Sequence, residues 1–163
     1  MRKTIAGFLF PGLLLIMGGC PSTGEGAVRS RETLPFTASR ELYDSTFHEL
    51  TQLLEKTERI IATGDFKAWK TLLTDDYIAR YSDAGYLREL SEKPNLKDRN
   101  IVLRSLEDYF YQVFIPSRKG TRLDSIEFID RTHVKAITVI RETPYVVYLF
   151  EKDKNNEWKI GLW

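Results

Sequence analysis

The residue types that carry acid–base or nucleophilic chemistry are few in this chain and stand far apart. There are two histidines, His48 and His133, and a single cysteine, Cys20. Two isolated histidines do not form a metal-binding motif, and one cysteine excludes both an intramolecular disulfide and a cysteine-based zinc site. No glycine-rich phosphate loop and no nucleophile elbow is present. We therefore expect no metal ion and no cofactor.

The patterns around the two histidines place both on solvent-facing surfaces. His48 shares the polar side of a predicted helix with Asp44 and Glu55. His133 begins a predicted strand in which it alternates with Lys135. The opposite side of that strand is smaller and more apolar, so it is the better core face; it consists of Val134, Ala136, Thr138 and Ile140. The alternation thus predicts that His133 points outward.

Carboxylates and phenols offer the other chemistry. Asp75 and Asp76 follow Thr74, so stabilising a helix N-terminus is their simplest role. Aromatic side chains with polar tips line small-molecule pockets and also pack ordinary cores, so both interpretations stay open. If the protein is an enzyme, Asp76 as the base and Tyr81 as the donor are the candidate catalytic residues. The candidate ligand-binding residues are Trp69, Tyr77, Tyr81 and Tyr109.

Cys20 stands where an apolar segment ends and a polar segment begins. Arg2 and Lys3 precede the apolar residues 5–17, and two glycines follow them. This order is typical of a signal peptide, here residues 1–19. A membrane-spanning helix would need about 20 consecutive apolar residues. The segment is shorter, and Pro11 interrupts it.

Residues 16–20, Ile-Met-Gly-Gly-Cys, resemble the lipobox of bacterial lipoproteins. The resemblance implies cleavage before Cys20, a diacylglycerol linked to its sulfur, and usually a third acyl chain on the new amino terminus. Two or three chains, at about 0.8 kcal/mol per buried methylene, hold a protein on a membrane stably. The alternative is a secreted protein with a free cysteine at its cleavage site, which would be a liability in an oxidising compartment.

The lipobox implies a location in the bacterial cell envelope, with the lipid membrane as a partner. In the sorting rules of enteric bacteria, Asp after the cysteine retains a lipoprotein in the inner membrane. Pro21 occupies that position, which favours the outer membrane. Residues 20–38 contain the cysteine and a segment rich in Gly, Ser, Thr and charge, which is typical of a flexible tether.

The charge balance argues against a nucleic-acid partner. The chain has 24 Lys and Arg against 23 Asp and Glu. Removing Arg2 and Lys3 with the signal peptide leaves 22 basic residues, so the mature chain has a net charge of 22 − 23 = −1. Nucleic-acid binding needs a clustered basic face, which such a balance does not supply.

Residues 39–163 read as a single α+β domain. The first helix is capped by Thr37 or Ser39 and ends at Gly64, and Asp65 caps a short second helix. The segment "TDDYIARYS" is compatible with a strand or a turn and helix, and a second long helix is predicted over residues 98–114. Four β-rich runs follow: "LDSIEFID", "HVKAITVIR", "YVVYLFEK" and "EWKIGLW". The order predicts N-terminal helices packed on a curved, cone-like antiparallel β-meander.

This order is similar to the nuclear-transport-factor-2-like superfamily, which includes ketosteroid isomerases. The resemblance is carried by the long first helix, by residues 64–69 leading to 72–78, and by the closing residues 157–160. It implies a cone whose open end holds a small apolar ligand, and a carboxylate or histidine in the catalytic members. It also implies dimerisation through the outer sheet face. Residues 83–98, which look helical or irregular, depart from the family pattern.

Three functions remain open at this point. The first is a non-catalytic envelope module that binds a partner protein or a small apolar ligand. Its outer sheet face, with His133, Lys135, Ile137 and Val139, would form the contact with a protein partner or a homodimer. The second is an isomerase- or dehydratase-like enzyme that uses a pocket carboxylate. The third is a structural envelope protein without a pocket.

Overall fold

The computed structural model describes residues 36–163. The predicted signal peptide, Cys20 and the tether up to residue 35 lie outside the described residues. Phe36, which belongs to the predicted tether, packs its ring 5.8 Å from the ring of Phe128. None of the helices in residues 36–163 has the length and apolar character needed to cross a membrane.

Helices occupy the N-terminal part of the described chain. They are α1 Arg40–Thr63, α2 Phe66–Lys70, α3 Asp75–Ser82, α4 Ala84–Ser91, α5 Pro94–Lys97, α6 Leu106–Tyr109 and α7 Ile115–Arg118, with a π-helical turn Phe110–Phe114 between the last two. The segment "TDDYIARYS" is therefore helical, since α3 covers most of it. The segment that departs from the family pattern is also helical, since α4 and α5 fall within it.

The caps follow the sequence signals. The Ser39 hydroxyl accepts a hydrogen bond from the Leu42 N–H at 3.2 Å, which identifies Ser39 as the N-cap of α1. Gly64 ends α1 in the left-handed conformation, at a φ of 66°. Asp65 accepts the Ala68 N–H at 2.9 Å at the start of α2.

The prediction of a long helix over residues 98–114 is wrong at both ends. The helix begins at Leu106, after Ser105, whose hydroxyl accepts the Asp108 N–H at 3.0 Å. The preceding segment is held against α4 instead, because the Leu103 N–H donates to the Ser91 hydroxyl at 2.9 Å. At its other end the helical run continues through Pro116. Pro116 lies at the start of α7, directly after the π-helical turn.

Four antiparallel strands form the C-terminal sheet, in the order β1 Ser125–Phe128, β2 His133–Ile140, β3 Thr143–Lys152 and β4 Trp158–Ile160. Each strand pairs with the next along the chain, and a bulge lies between Ala136 and Ile137. Such a bulge bends a strand and increases its twist. The structure confirms the predicted α+β class, with helices first and a four-stranded meander after them.

The helices cover one face of the sheet. Val134, Ala136 and Thr138 are buried on that face, as the alternation predicts. Ile140, predicted on the same core face, is 53% exposed, so that part of the prediction is wrong. Ile140 is the last residue of β2, next to the hairpin turn at Arg141, and no helix covers it there.

Two hydrogen bonds dock α1 on the sheet. The Trp158 indole N–H donates to a Glu49 carboxylate oxygen at 2.8 Å. The Tyr43 hydroxyl accepts the Ile126 N–H at 3.3 Å. These bonds fix α1 across the meander at two strands.

The segment between α2 and α3 joins the end of the sheet. The Ile160 N–H donates to the Leu72 carbonyl at 2.7 Å, and the Thr74 N–H donates to the Ile160 carbonyl at 3.0 Å. This short parallel pairing places α3 beside β4 and β3. The phenols of α3 are thereby held against the end of the sheet.

Candidate functional site

A cavity of about 260 Å³ lies between β3 of the sheet and the helices α3, α6 and α7. Tyr77 and Tyr81 come from α3, Tyr109 from α6, and Tyr148 from β3. Val146 is 52% exposed and lines the cavity, so the cavity reaches the surface there. Four phenols from three elements of the fold thus converge on one space.

The phenols contact one another closely. The Tyr77 and Tyr109 hydroxyl oxygens are 3.4 Å apart, and the Tyr81 and Tyr109 ring centroids are 4.0 Å apart. Burial raises the pKa of Tyr77, of Tyr81 and of Tyr148 well above the ordinary tyrosine value. These three phenols therefore stay protonated at neutral pH, and Tyr77 donates its hydrogen to the Tyr109 hydroxyl.

The π-helical turn determines which residues of the helical segment opposite the sheet line the cavity. Tyr109, Phe114 and Arg118 all line the cavity although their spacings are five and four residues. An α-helix aligns residues three or four apart, whereas a π-helical turn bonds each residue to the fifth one along. The turn at Phe110–Phe114 therefore brings Tyr109 and Phe114 to the same side.

Arg118 supplies the one charged side chain among the residues that line the cavity. Its guanidinium carbon lies 5.4 Å from the centre of the Tyr148 ring. Its Nε is buried and has no hydrogen-bond partner within residues 36–163. Its Nη1 donates to the Ser117 carbonyl at 3.3 Å.

No acidic side chain of the described part of the chain pairs with Arg118 within 4.0 Å. Glu58 is the acid whose charge reaches this region. Burial is the largest cause of the raised pKa of Tyr148, the charge of Arg118 opposes it, and the charge of Glu58 raises the pKa further. Its carboxylate accepts the Gly120 N–H at 3.2 and 3.3 Å. Arg118 therefore lines the cavity with its charge unpaired by any described carboxylate within 4.0 Å.

Trp69 lies one layer behind the cavity. Its side chain is fully buried, with ring centroids 6.1 Å from Tyr77, 6.4 Å from Tyr109 and 4.7 Å from Phe114. Three of the four predicted ligand-binding residues therefore line the cavity, namely Tyr77, Tyr81 and Tyr109. Trp69 packs against two of them from the core side.

The structure does not bring the two candidate catalytic residues to the same place. Asp76 is exposed in the first turn of α3, directly after the Thr74 cap. It borders a separate surface hollow of about 460 Å³ that also contains Lys159. Tyr81 lies on the cavity, without Asp76 among the lining residues.

Both histidines are away from the cavity. His48 is exposed, with its Nε2 2.9 Å from the Gln52 amide nitrogen. His133 is half-buried, with its Nδ1 2.8 Å from a carboxylate oxygen of Asp130. Burial opposes the charge on Asp130, but hydrogen bonds from Thr132 and His133 outweigh it and lower its pKa to about 2. This arrangement organises the turn between β1 and β2.

The outer sheet face carries the residues predicted to contact a partner. Lys135 pairs with Glu127 at 2.8 Å, Ile137 is half-buried, and Val139 is 37% exposed. The adjoining hairpin exposes further large apolar side chains, which are Ile140, Tyr145 and Val146. The outer face is thus mixed in character, while the exposed Ile140 and Tyr145 of the hairpin have the parity of the core-facing Thr138.

The other hollows of the described residues are of a different kind. One of about 470 Å³ lies between α4 and residues 100–104, where Arg88, Glu92 and Lys97 line it together with aliphatic side chains. Lys97 and Glu92 pair with each other there at 2.7 Å. No group of three acidic, histidine or cysteine side chains within residues 36–163 is placed to hold a metal ion.

Sequence reasoning missed Arg118, Val147 and Tyr148 as cavity residues. Arg118 falls beyond the predicted end of the second long helix, at Phe114, so the helical period was not extended to it. Tyr148 alternates with Phe150 in β3, and that alternation does identify it as a core-facing residue. The strand pattern gives no sign that the core ends in a cavity beside it.

The stability of the domain is expected to fall at alkaline pH because of these phenols. Burial raises the pKa values of Tyr77, Tyr81 and Tyr148 in the folded state, while in the unfolded chain these phenols ionise near about pH 10. Above that pH the folded state binds more protons than the unfolded state, so the free energy of unfolding decreases by up to about 1.4 kcal/mol per pH unit for each phenol. Below that pH the contribution is fully present.

Urea unfolding measured from about pH 7 to about pH 11 checks this dependence. The matched control is the double variant Tyr77→Phe and Tyr81→Phe, which removes two of the titrating groups and flattens the alkaline slope. A wild-type midpoint that stays constant above about pH 10 would show that these phenols are not protected from ionisation.

Comparison with known proteins identifies the class to which the chain belongs. It is 34% identical over 140 residues to a protein of Treponema pallidum (strain Nichols) named "Uncharacterized lipoprotein", an alignment that covers 86% of this chain and 72% of that protein. The chain therefore belongs to the same family of bacterial lipoproteins, and is a lipid-anchored protein of the cell envelope. No protein-family model matches the sequence. No solved structure matches it either.

Proposed function

We propose that the folded domain is a non-catalytic binding module whose phenol-lined cavity takes a small, largely apolar ligand in the cell envelope. The observation that carries this proposal is the convergence of Tyr77, Tyr81, Tyr109 and Tyr148 on one cavity that reaches the surface. Its volume of about 260 Å³ is just below the range of about 300–1,000 Å³ that is usual for drug-sized ligands, so the ligand is small.

The chemistry of the cavity wall favours binding over catalysis. A general acid or base works best when its pKa lies near the working pH. Burial moves the pKa values of Tyr77, Tyr81 and Tyr148 further from neutrality, and a guanidinium stays charged. These groups hold and orient a ligand through donated hydrogen bonds and ring contacts. The alternative, an enzyme with Asp76 as its base, would require Asp76 to reach the ligand from outside the lining.

We further propose that Cys20 is the acylated residue and that the outer membrane is the site of anchoring. The lipobox-like residues 16–20 and membership of a lipoprotein family support acylation. Pro21 after the cysteine supports the outer membrane. In this arrangement residues 21–35 connect the lipid anchor to the domain that contains the cavity.

We also propose a distant relationship to the nuclear-transport-factor-2-like superfamily. A long first helix, short helices after it, and a four-stranded meander with a cavity between sheet and helices support this relationship. The helices α4 and α5 depart from the family pattern, since they stand where a strand is usual. The relationship concerns the fold, and function is argued from the cavity itself.

The cavity proposal is tested by filling the cavity. Val147 lines it and is half-buried, so Val147→Trp places an indole where the ligand would lie. We expect wild-type protein to bind the neutral probe 4-phenylbutan-1-ol and this variant to lose at least about tenfold in affinity, measured by calorimetry. Val102→Trp is the matched control, because Val102 is 57% exposed and lies outside the cavity. Equal binding by all three proteins would contradict the proposal.

A further inference from the structure

We infer that Arg118 makes this cavity selective for small molecules that carry a carboxylate group on an apolar body. This inference rests on the proposed binding function and names the ligand class for the same cavity. It is carried by a guanidinium that has no acidic partner within 4.0 Å among the described residues, in a wall that otherwise consists of phenols and apolar side chains.

The Arg118 side chain has few hydrogen-bond partners within the described residues. Its Nε is buried and unpartnered within the described residues, although a buried polar group normally has a hydrogen-bond partner. The side chain makes one long hydrogen bond, from Nη1 to the neighbouring Ser117 carbonyl at 3.3 Å. A guanidinium has five N–H donors, and the contact to Ser117 is the one hydrogen bond that this side chain makes to the described residues.

The side chains around the Arg118 guanidinium suit an anionic ligand. The other polar side chains that line the cavity are four phenols, Tyr77, Tyr81, Tyr109 and Tyr148. The Tyr77 hydroxyl donates to the Tyr109 hydroxyl at 3.4 Å, and none of the four carries a negative charge at neutral pH. Glu58 is held by the Gly120 N–H and does not pair with Arg118. The positive charge is thus unopposed at close range by any described side chain, and neighbouring donors suit an anion.

The charge and shape of the guanidinium favour a carboxylate over a phosphate. A guanidinium and a carboxylate match in a planar, two-bond geometry. A phosphate dianion carries more charge than the single cation of this wall balances, and a buried unbalanced charge is costly. Most of the remaining lining is apolar, including Phe114, Val147 and Leu149. A monoanionic acid group on a small alkyl or aromatic body fits both parts of the wall.

The test compares an acid with its own alcohol on the full mature chain, in phosphatidylcholine nanodiscs with empty nanodiscs as the blank. The probes are 4-phenylbutyrate and 4-phenylbutan-1-ol, followed by hexanoate and hexan-1-ol to separate an aromatic from an alkyl body. Wild-type protein is expected to bind at least one acid about tenfold or more tightly than its alcohol, as a charge-assisted hydrogen bond provides.

Two variants assign that preference to Arg118. Arg118→Gln is expected to bring the ratio of acid to alcohol affinity close to one, and a circular dichroism spectrum that matches the wild type shows that the variant is folded. Arg80→Gln is the control, since Arg80 lies on α3 over the Tyr86 ring and outside the cavity lining. It should keep the wild-type ratio.

The outcomes separate this inference from the proposed function. Equal affinities for acid and alcohol in the wild-type protein overturn the carboxylate inference and leave the cavity proposal standing. A preference for the acid that survives in Arg118→Gln also overturns it. Failure of both acids and both alcohols to bind overturns the proposed cavity function, and this inference with it.

Discussion

The Cys20→Ser variant is expected to incorporate no radioactive palmitate and to remain at its precursor length. The thioether that carries the diacylglycerol forms on the cysteine sulfur, and the resemblance to a lipobox implies that cleavage before residue 20 depends on it. Serine has no thiol, so both the lipid and the cleavage are lost. Labelling of growing cells, followed by immunoprecipitation and an intact mass, measures both effects.

The matched control for this variant is Ser22→Ala, which changes a hydroxyl two residues further along and leaves the cysteine in place. It should be labelled and cleaved like the wild type. Retention of the palmitate label in Cys20→Ser would show that the lipid is attached elsewhere. The lipoprotein family would then stand, with a different acylated residue.

Trp69→Ala is expected to lower the free energy of unfolding by about 3–5 kcal/mol. The Trp69 side chain is fully buried, and its ring centroid lies 4.7 Å from those of both Phe110 and Phe114. Removing the indole leaves a void that this packed aromatic cluster fills only in part. Since a domain is typically stable by about 5–15 kcal/mol, the variant would lose a large share of its stability.

Urea unfolding followed by circular dichroism measures this loss. The control is Trp163→Ala, because Trp163 is 37% exposed and its indole N–H makes one hydrogen bond, to the Phe150 carbonyl at 3.3 Å. We expect a cost of about 1 kcal/mol for that variant. Equal effects of the two substitutions would mean that the aromatic cluster behind the cavity is not the centre of the core.

Local sequence signals were sufficient for most of the fold. Ser39 and Gly64 delimit α1 because a hydroxyl side chain caps a helix and glycine adopts a positive φ without strain. The change of period from 3.6 to 2 after Arg122 identified all four strands. Short polar turns between the strands then left an antiparallel meander as the only simple arrangement.

The errors arose where tertiary contacts override a local pattern. The apolar residues Ile101 and Leu103 suit a helix, but the bond between the Leu103 N–H and Ser91 holds their segment outside one. Ile140 has the right parity for the core face of β2 and is exposed because the hairpin passes beyond the helices. Neither contact can be read from the residues nearby in the sequence.

The cavity was predictable in part. Crowding of aromatic residues in the middle of the chain singled out Tyr77, Tyr81 and Tyr109. Arg118 was not found, because its place on the cavity depends on the π-helical turn and on helical structure beyond Pro116. Asp76 was singled out as an acid near those tyrosines, yet its position in the first turn of α3 directs it to another hollow.

Native mass spectrometry of the wild-type protein, purified from the membranes of the cells that produce it, tests most directly whether this lipoprotein holds a ligand. We predict a covalent mass that corresponds to a chain beginning at Cys20 with its attached acyl groups. We also predict a second, noncovalent mass of a small acid that is released on activation and is absent from Val147→Trp. A wild-type spectrum that contains only the acylated chain, together with failure to bind the four probes, would contradict the claim that this lipoprotein holds a ligand.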